Sequence, residues 1–145
     1  MNEAATVTGG CACGAIRYAF QSEPILALNC HCRDCQHASG SGYGSFVIVW
    51  QDGFEMTGRP TYYVKQSDAG NTVERGFCGE CGSPVTILEP HRPKLIFLHA
   101  GSLDEPNQHQ PTMDIFASRA NHWDKLDPAI DKFDEMPPVP DELGR

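Results

Sequence analysis

Apolar and polar side chains alternate with period two at Ile16-Arg17-Tyr18-Ala19-Phe20 and again over Thr61-Tyr62-Tyr63-Val64-Lys65, and turn-forming residues bound both runs, so each predicts a strand. Short β-rich runs extend the pattern at residues 25–28, 45–50, 54–56, 72–77, 85–88, 95–98 and 113–116. Gly and Pro punctuate the gaps, as at 40–44, 52–53, 58–60, 89–93 and 105–111, and the spacing is that of a meander. Helical periodicity is weak; one or two turns are expected after Cys32 and a short piece over 129–133. The predicted class is mostly β, built of short antiparallel strands with few short helices. No linker separates a second core, which gives one domain over residues 1–135. The run Pro137-Pro138-Val139-Pro140 can neither continue a helix nor donate ladder hydrogen bonds, so residues 136–145 are expected to form an extended or disordered tail.

Composition narrows the function classes. The chain has 145 residues, 40% of them apolar and 21% charged, and its longest apolar stretch, 46–50, is far short of the roughly 20 residues a membrane helix needs. Residues 1–10 have neither the basic start nor the apolar core of a signal peptide. A cytoplasmic protein without a membrane partner is therefore expected. The net charge of −8 sets the long-range field against polyanions, and no run of Lys or Arg reverses it locally, so nucleic-acid binding is not expected.

The seven cysteines change the picture, because all fall in three tight groups: Cys11 and Cys13; Cys30, Cys32 and Cys35; Cys78 and Cys81. A disulfide framework spreads its half-cystines to close loops, and an odd total leaves one thiol over. Metal ligation accounts for the clustering better. Tetrahedral zinc holds its sulfurs roughly 3.8 Å apart, a spacing that closely placed ligands on a turn achieve easily. Cys78-Gly79-Glu80-Cys81-Gly82 is such a turn, with Gly79 and Gly82 expected to permit positive φ and amide approach to the thiolates. Paired with Cys11-Ala12-Cys13-Gly14, it makes a closed four-cysteine site, which is structural.

Cys30-His31-Cys32-Arg33-Asp34-Cys35 offers three sulfurs and leaves no cysteine for the fourth corner. Three ligands and one open position are the arithmetic of a reactive zinc. His31 sits between two ligands, where the backbone tends to aim its ring away, and His37 is the stronger rival for closing the site. Three thiolates with one Zn²⁺ sum to about −1, so the metal acidifies water poorly but suits an incoming small-molecule thiol, and carbon–sulfur bond formation or cleavage is the expected chemistry. Seven thiolates with two zinc ions would take the chain from −8 to about −11, so an anionic substrate requires local positive charge.

In this order, the segments Gly10-Cys11-Ala12-Cys13-Gly14, Cys30-His31-Cys32-Arg33-Asp34-Cys35 and Phe77-Cys78-Gly79-Glu80-Cys81-Gly82 resemble the glutathione-dependent formaldehyde-activating enzyme family, also called the centromere protein V family. The resemblance covers residues 6–123. It implies a mostly β fold of the Mss4-like, β-tent type with two zincs: Cys11, Cys13, Cys78 and Cys81 around a structural ion, and Cys30, Cys32 and Cys35 around a reactive one. The activity it implies is condensation of glutathione with formaldehyde to S-(hydroxymethyl)glutathione, a carbon–sulfur lyase in reverse. The sequence departs from the family at Asp114, where many relatives are expected to carry His, and it lacks the basic N-terminal extension of the centromeric members, so a chromatin role is not expected.

Arg33, beside the trio, is the candidate contact for a substrate carboxylate, against a plain surface pairing with Asp34. The Gly-rich stretch 39–44 either lets amides approach a ligand or simply turns the chain; His99 is expected to pack a strand and Trp123 the domain edge. Three functions compete. The first is a zinc-dependent carbon–sulfur lyase-type enzyme acting on a glutathione-like thiol and a small aldehyde. The second is a zinc-stabilised binding module of the same fold with no catalysis. The third is a dithiol redox protein using Cys32 and Cys35, which needs a metal-free site and a helix N-terminus that lowers one thiol pKa, neither of which the sequence suggests.

Overall fold

A computed structural model describes residues 5–143. The expectations for residues 1–10 and for the tail extend to 1–4 and 144–145, which lie outside the described residues. Strands β1 (Val7–Gly10), β2 (Arg17–Phe20) and β5 (Glu55–Thr57) form a three-stranded antiparallel sheet around β2. The remaining strands are β3 (Leu26–Cys30), β4 (Gly44–Trp50), β6 (Thr61–Gln66), β7 (Thr72–Phe77), β8 (Pro84–Leu88), β9 (Leu95–His99), β10 (Met113–Ile115) and β11 (Asp131–Lys132). They make an eight-stranded sheet in the order β11-β10-β3-β4-β9-β8-β7-β6. Only β6 to β9 form a meander. β4 inserts beside β9, and β10 joins β3 in parallel, with Ile115 opposite Cys30.

The short helix expected over 129–133 is instead a turn leading into β11, which runs parallel to β10. Such a short segment has too few apolar positions for periodicity to separate the two states, and the free edge of β10 decides it. The helix expected after Cys32 is present as α1 (Arg33–Ser39), ended by Gly40 in the left-handed region. The Thr61–Gln66 strand is exposed along its whole length, as an edge strand of the large sheet.

Alternation along the central strands divides the interior. In β4, Val47 and Val49 join Ile96, Leu98 and Val85 in one cluster, while Phe46 and Ile48 join Leu95 and Ile87 in another. Neighbouring side chains on a strand point to opposite faces, so these two clusters lie on opposite faces of the large sheet. Both faces being covered explains why residues 46–50 read as a continuous apolar run. The first cluster takes Tyr18 and Phe20 of the small sheet and includes Cys11 and Cys78; the second includes Cys30 and Cys35. After residues 136–140, which have no regular structure, a turn at Asp141–Leu143 sets Leu143 against the second cluster. Among the described residues, no helix is long and apolar enough to cross a membrane.

Candidate metal centre and its cleft

All seven cysteines are free thiols, and they assemble into two groups, Cys11, Cys13, Cys78 and Cys81, and Cys30, Cys32 and Cys35, each with its sulfurs within 4.8 Å of one another. In the four-cysteine group, Cys13 Sγ lies 3.7 Å from both Cys11 Sγ and Cys78 Sγ, matching the roughly 3.8 Å edge of a tetrahedral zinc–sulfur site. Amides supply the expected compensation: Ile16 N donates to Cys11 Sγ at 3.2 Å, and Glu80 N and Cys81 N donate to Cys78 Sγ at 3.4 and 3.5 Å. Gly82 adopts φ of +78°, as the turn requires, whereas Gly79 does not have positive φ; a Cβ there would instead meet Thr61 Oγ1 at 2.9 Å. Ser83 joins the two knuckles, its hydroxyl accepting from Ala12 N at 3.1 Å and lying 3.2 Å from Cys81 Sγ. That hydroxyl, then the Ser83 amide, draws Cys81 down to about 5.

The three-cysteine group is built locally. Cys30 ends β3, Cys32 caps α1 by accepting from Cys35 N at 3.4 Å, and Cys35 sits one turn into the helix. The helix N-terminus that a dithiol redox site would use is therefore present, although its sequence signal was weak. The third sulfur sets this site apart from a simple dithiol. Hydrogen bonds from Cys30, then Cys35, hold Cys32 at about 2, while Cys32, then Cys35 and burial, push Cys30 up. One of the three packed sulfurs thus ionises readily while the other two are held protonated, and a divalent cation is a group that would let all three ionise. Both groups could thus hold a thiophilic metal ion.

Neither histidine closes the trio. His37 is exposed on α1. His31 is buried and turned away, each ring nitrogen directed at a carboxylate, Asp124 Oδ2 at 2.7 Å and Asp114 Oδ1 at 2.8 Å. No fourth His, Cys, Asp or Glu donor joins the three sulfurs among the described residues. The trio opens instead on a cleft of about 510 Å³ walled by Leu28, Phe46, Val73, Ile87, Phe97 and Phe116.

Arg33, the candidate from sequence, is exposed, donates to Gln36 Oε1 at 2.9 Å and does not line the cleft. The basic side chains that line it are Arg75, His91, Arg92 and Arg119. His91 and Arg92 face Glu89 at 3.5 and 3.0 Å, and Arg119 faces Asp68 and Glu135 at 3.1 and 3.3 Å. Arg75 differs. Its Nη2 donates to Cys35 Sγ at 3.8 Å, and its Nη1 is buried without a hydrogen-bond partner. Sequence reasoning missed it because it lies 40 residues from Cys35 and only the pairing of β7 brings it there. His99 packs its ring on Phe46 at 4.8 Å, and burial, with Arg75 as a second cause, lowers it to about 4. Trp123 is 57% exposed and lies beside Gly42, away from the cleft.

Comparison with known proteins agrees with this geometry. The family model described as "Glutathione-dependent formaldehyde-activating enzyme" matches residues 6–119. A protein of Halomonas elongata, described as "Putative glutathione-dependent formaldehyde-activating enzyme", is 29% identical over 101 residues, covering 66% of this chain and 64% of its own length. The chain thus spans somewhat under two thirds of that relative. A crystal structure of a Rhodobacter sphaeroides protein superposes with a TM-score of 0.52 at 19% identity, over 67% of this chain and 87% of that one, a likeness of fold.

Proposed function

This chain belongs to the glutathione-dependent formaldehyde-activating enzyme family, and on that premise we propose that it is a zinc-dependent enzyme of the carbon–sulfur lyase type, joining a glutathione-like thiol to a small aldehyde or reversing that addition. The observation that carries the reading is the trio of Cys30, Cys32 and Cys35 sulfurs, open at its fourth corner to the cleft. The proposed ligands are these three for a reactive zinc, and Cys11, Cys13, Cys78 and Cys81 for a structural one, two ions per chain. The catalytic unit is the domain over 1–135, with the tail of 136–145 adding Met136 to the cleft wall. A cytoplasmic location suits seven unpaired thiols, which a reducing compartment preserves.

When bound at the trio, zinc supplies Lewis acidity that lowers the pKa of a thiol entering the fourth position. The sulfur of the incoming thiol loses its proton and forms a bond to the aldehyde carbon, the carbonyl π pair moves to oxygen, and that oxygen takes up one proton. The product is the hydroxyalkyl thioether, and the reverse reaction breaks the same carbon–sulfur bond. Arg75, which donates to Cys35 Sγ and has no ion pair with a carboxylate among the described residues, would offset the negative charge that a fourth thiolate brings to the trio. The apolar walls limit water around the reacting sulfur.

Exchange spectroscopy on an equilibrium mixture of glutathione and formaldehyde tests the reading: the zinc-loaded protein should raise the exchange rate above the spontaneous one, and Cys32→Ser should return it there with the fold intact. A wild-type protein that leaves the exchange unchanged would exclude the activity. The dithiol redox reading retains one supporting observation, the capping of α1 by Cys32. Quantitative alkylation of three thiols in protein purified without chelator would favour it.

A further inference from the structure

We propose that His31, Asp114 and Asp124 are positioning residues that set the geometry, and so the metal affinity, of the cysteine trio; the inference rests on the trio being a metal site as proposed above. His31 stands between Cys30 and Cys32. Along an extended chain, alternate side chains point to opposite sides, so whatever holds His31 on one side fixes where Cys30 and Cys32 project on the other. His31 is held at every polar atom it has. Its amide donates to Ile115 O at 3.1 Å, and its carbonyl accepts from Gln36 Nε2 at 2.8 Å. Its ring nitrogens face Asp124 Oδ2 at 2.7 Å and Asp114 Oδ1 at 2.8 Å, and the three side chains are only 1%, 4% and 2% exposed.

The two carboxylates come from distant parts of the chain and are themselves supported. Asp114 lies in β10, accepts a second hydrogen bond from Asn29 Nδ2 at 3.3 Å, and has Lys132 Nζ of β11 3.5 Å from its other oxygen. Asp124 follows β10 and sits against the turn after α1, where Gly42 has no side chain. A Cβ there would lie 3.0 Å from the Trp123 ring and 3.2 Å from the Asp124 carboxylate. Tyr43 closes the ring from the same turn, its centroid 5.2 Å from that of His31. The clamp therefore joins β10, β11 and the turn after α1 to a knuckle whose two cysteines face the other way. Groups that orient metal ligands from behind typically change metal affinity by about 10–100-fold when removed.

The test is competition for metal against a chromophoric chelator, with Co²⁺ loading followed by its thiolate charge-transfer band, on the full chain. Wild type should take up two equivalents. Asp114→Leu and Asp124→Leu should weaken the trio by about 10-fold or more and reduce its band, while the four-cysteine equivalent stays bound and the far-ultraviolet spectrum is retained. Asp124→Asn keeps an oxygen acceptor for the ring and should hold the trio within about 3-fold of wild type, so a folded variant remains even if the leucine variants are unstable. Equal trio affinity in wild type and both leucine variants would overturn the inference, as would parallel loss from both sites, which would make the clamp a general element of stability. A wild-type protein that binds a single equivalent would overturn the proposed function and this inference together.

Discussion

The two cysteine groups occupy opposite faces of one sheet and are built on opposite principles. The four-cysteine group joins Cys11 and Cys13 to Cys78 and Cys81, segments far apart in sequence, and its sulfurs sit beside the cluster that the small sheet covers. The trio lies within six consecutive residues, needs no distant cysteine, and faces a cleft. An ion in the first group crosslinks the fold, whereas an ion in the second links only residues that β3 and α1 already hold together. The difference teaches that a fourth corner can be left open where the chain itself already brings the sulfurs together. The His31 clamp is the proposed device by which groups other than the three cysteines hold the open trio in shape.

The contrast can be broken most forcefully at Cys78. Cys78→Ser should remove about 10 kcal/mol of metal-coupled folding free energy, comparable to the whole stability of a domain, so no cooperative thermal transition should remain by circular dichroism. Cys32→Ser should leave the midpoint within about 4 °C of wild type while thiol–aldehyde exchange falls by about 100-fold or more. Similar unfolding of both variants would erase the distinction. A smaller effect separates the two arginines nearest the trio in space and in sequence. Arg75→Met should weaken thiol binding to the Co²⁺-loaded protein by about 10-fold, and Arg33→Met should change it by less than about 2-fold, in titrations of the charge-transfer band.

The smallest effect concerns His99, which packs on Phe46 in the cluster of the trio and lines a cavity that Cys11 also reaches. Its folded pKa, about 4, lies below the unfolded value near 6.5, so the unfolded chain binds the proton first as pH falls. Its neutral form contributes stability that is complete above the unfolded value and is lost between about 6.5 and 4. From pH 6.5 to 5.5 the loss is about 1 kcal/mol, and urea midpoints of His99→Leu should lack that share of the wild-type pH slope.

How far the sequence speaks depends on how local the information is. The grouping of Cys11 with Cys13, Cys78 with Cys81, and Cys30 with Cys32 and Cys35 is written in spacings of two to five residues, and the strands in alternations of similar length. Residues 129–133 depart from the expected helix because their conformation answers to the edge of β10 and not to their own pattern. Arg33 drew attention by adjacency, while Arg75 arrives from β7. His31 was recognisable as a ring turned from the metal, but its partners Asp114 and Asp124 lie 83 and 93 residues away.

By itself, then, the sequence determined the mostly β class, the three tight cysteine groups and the family, because close spacing along a chain forces closeness in space; the joining of Cys11 and Cys13 to Cys78 and Cys81 is a contact of the tertiary structure. Only the tertiary structure decided which face each set occupies, which cation stands beside the trio, and what holds His31, because those contacts depend on strand order and register. Neither is encoded in any short stretch of residues; both emerge when the whole sheet buries its two faces at once.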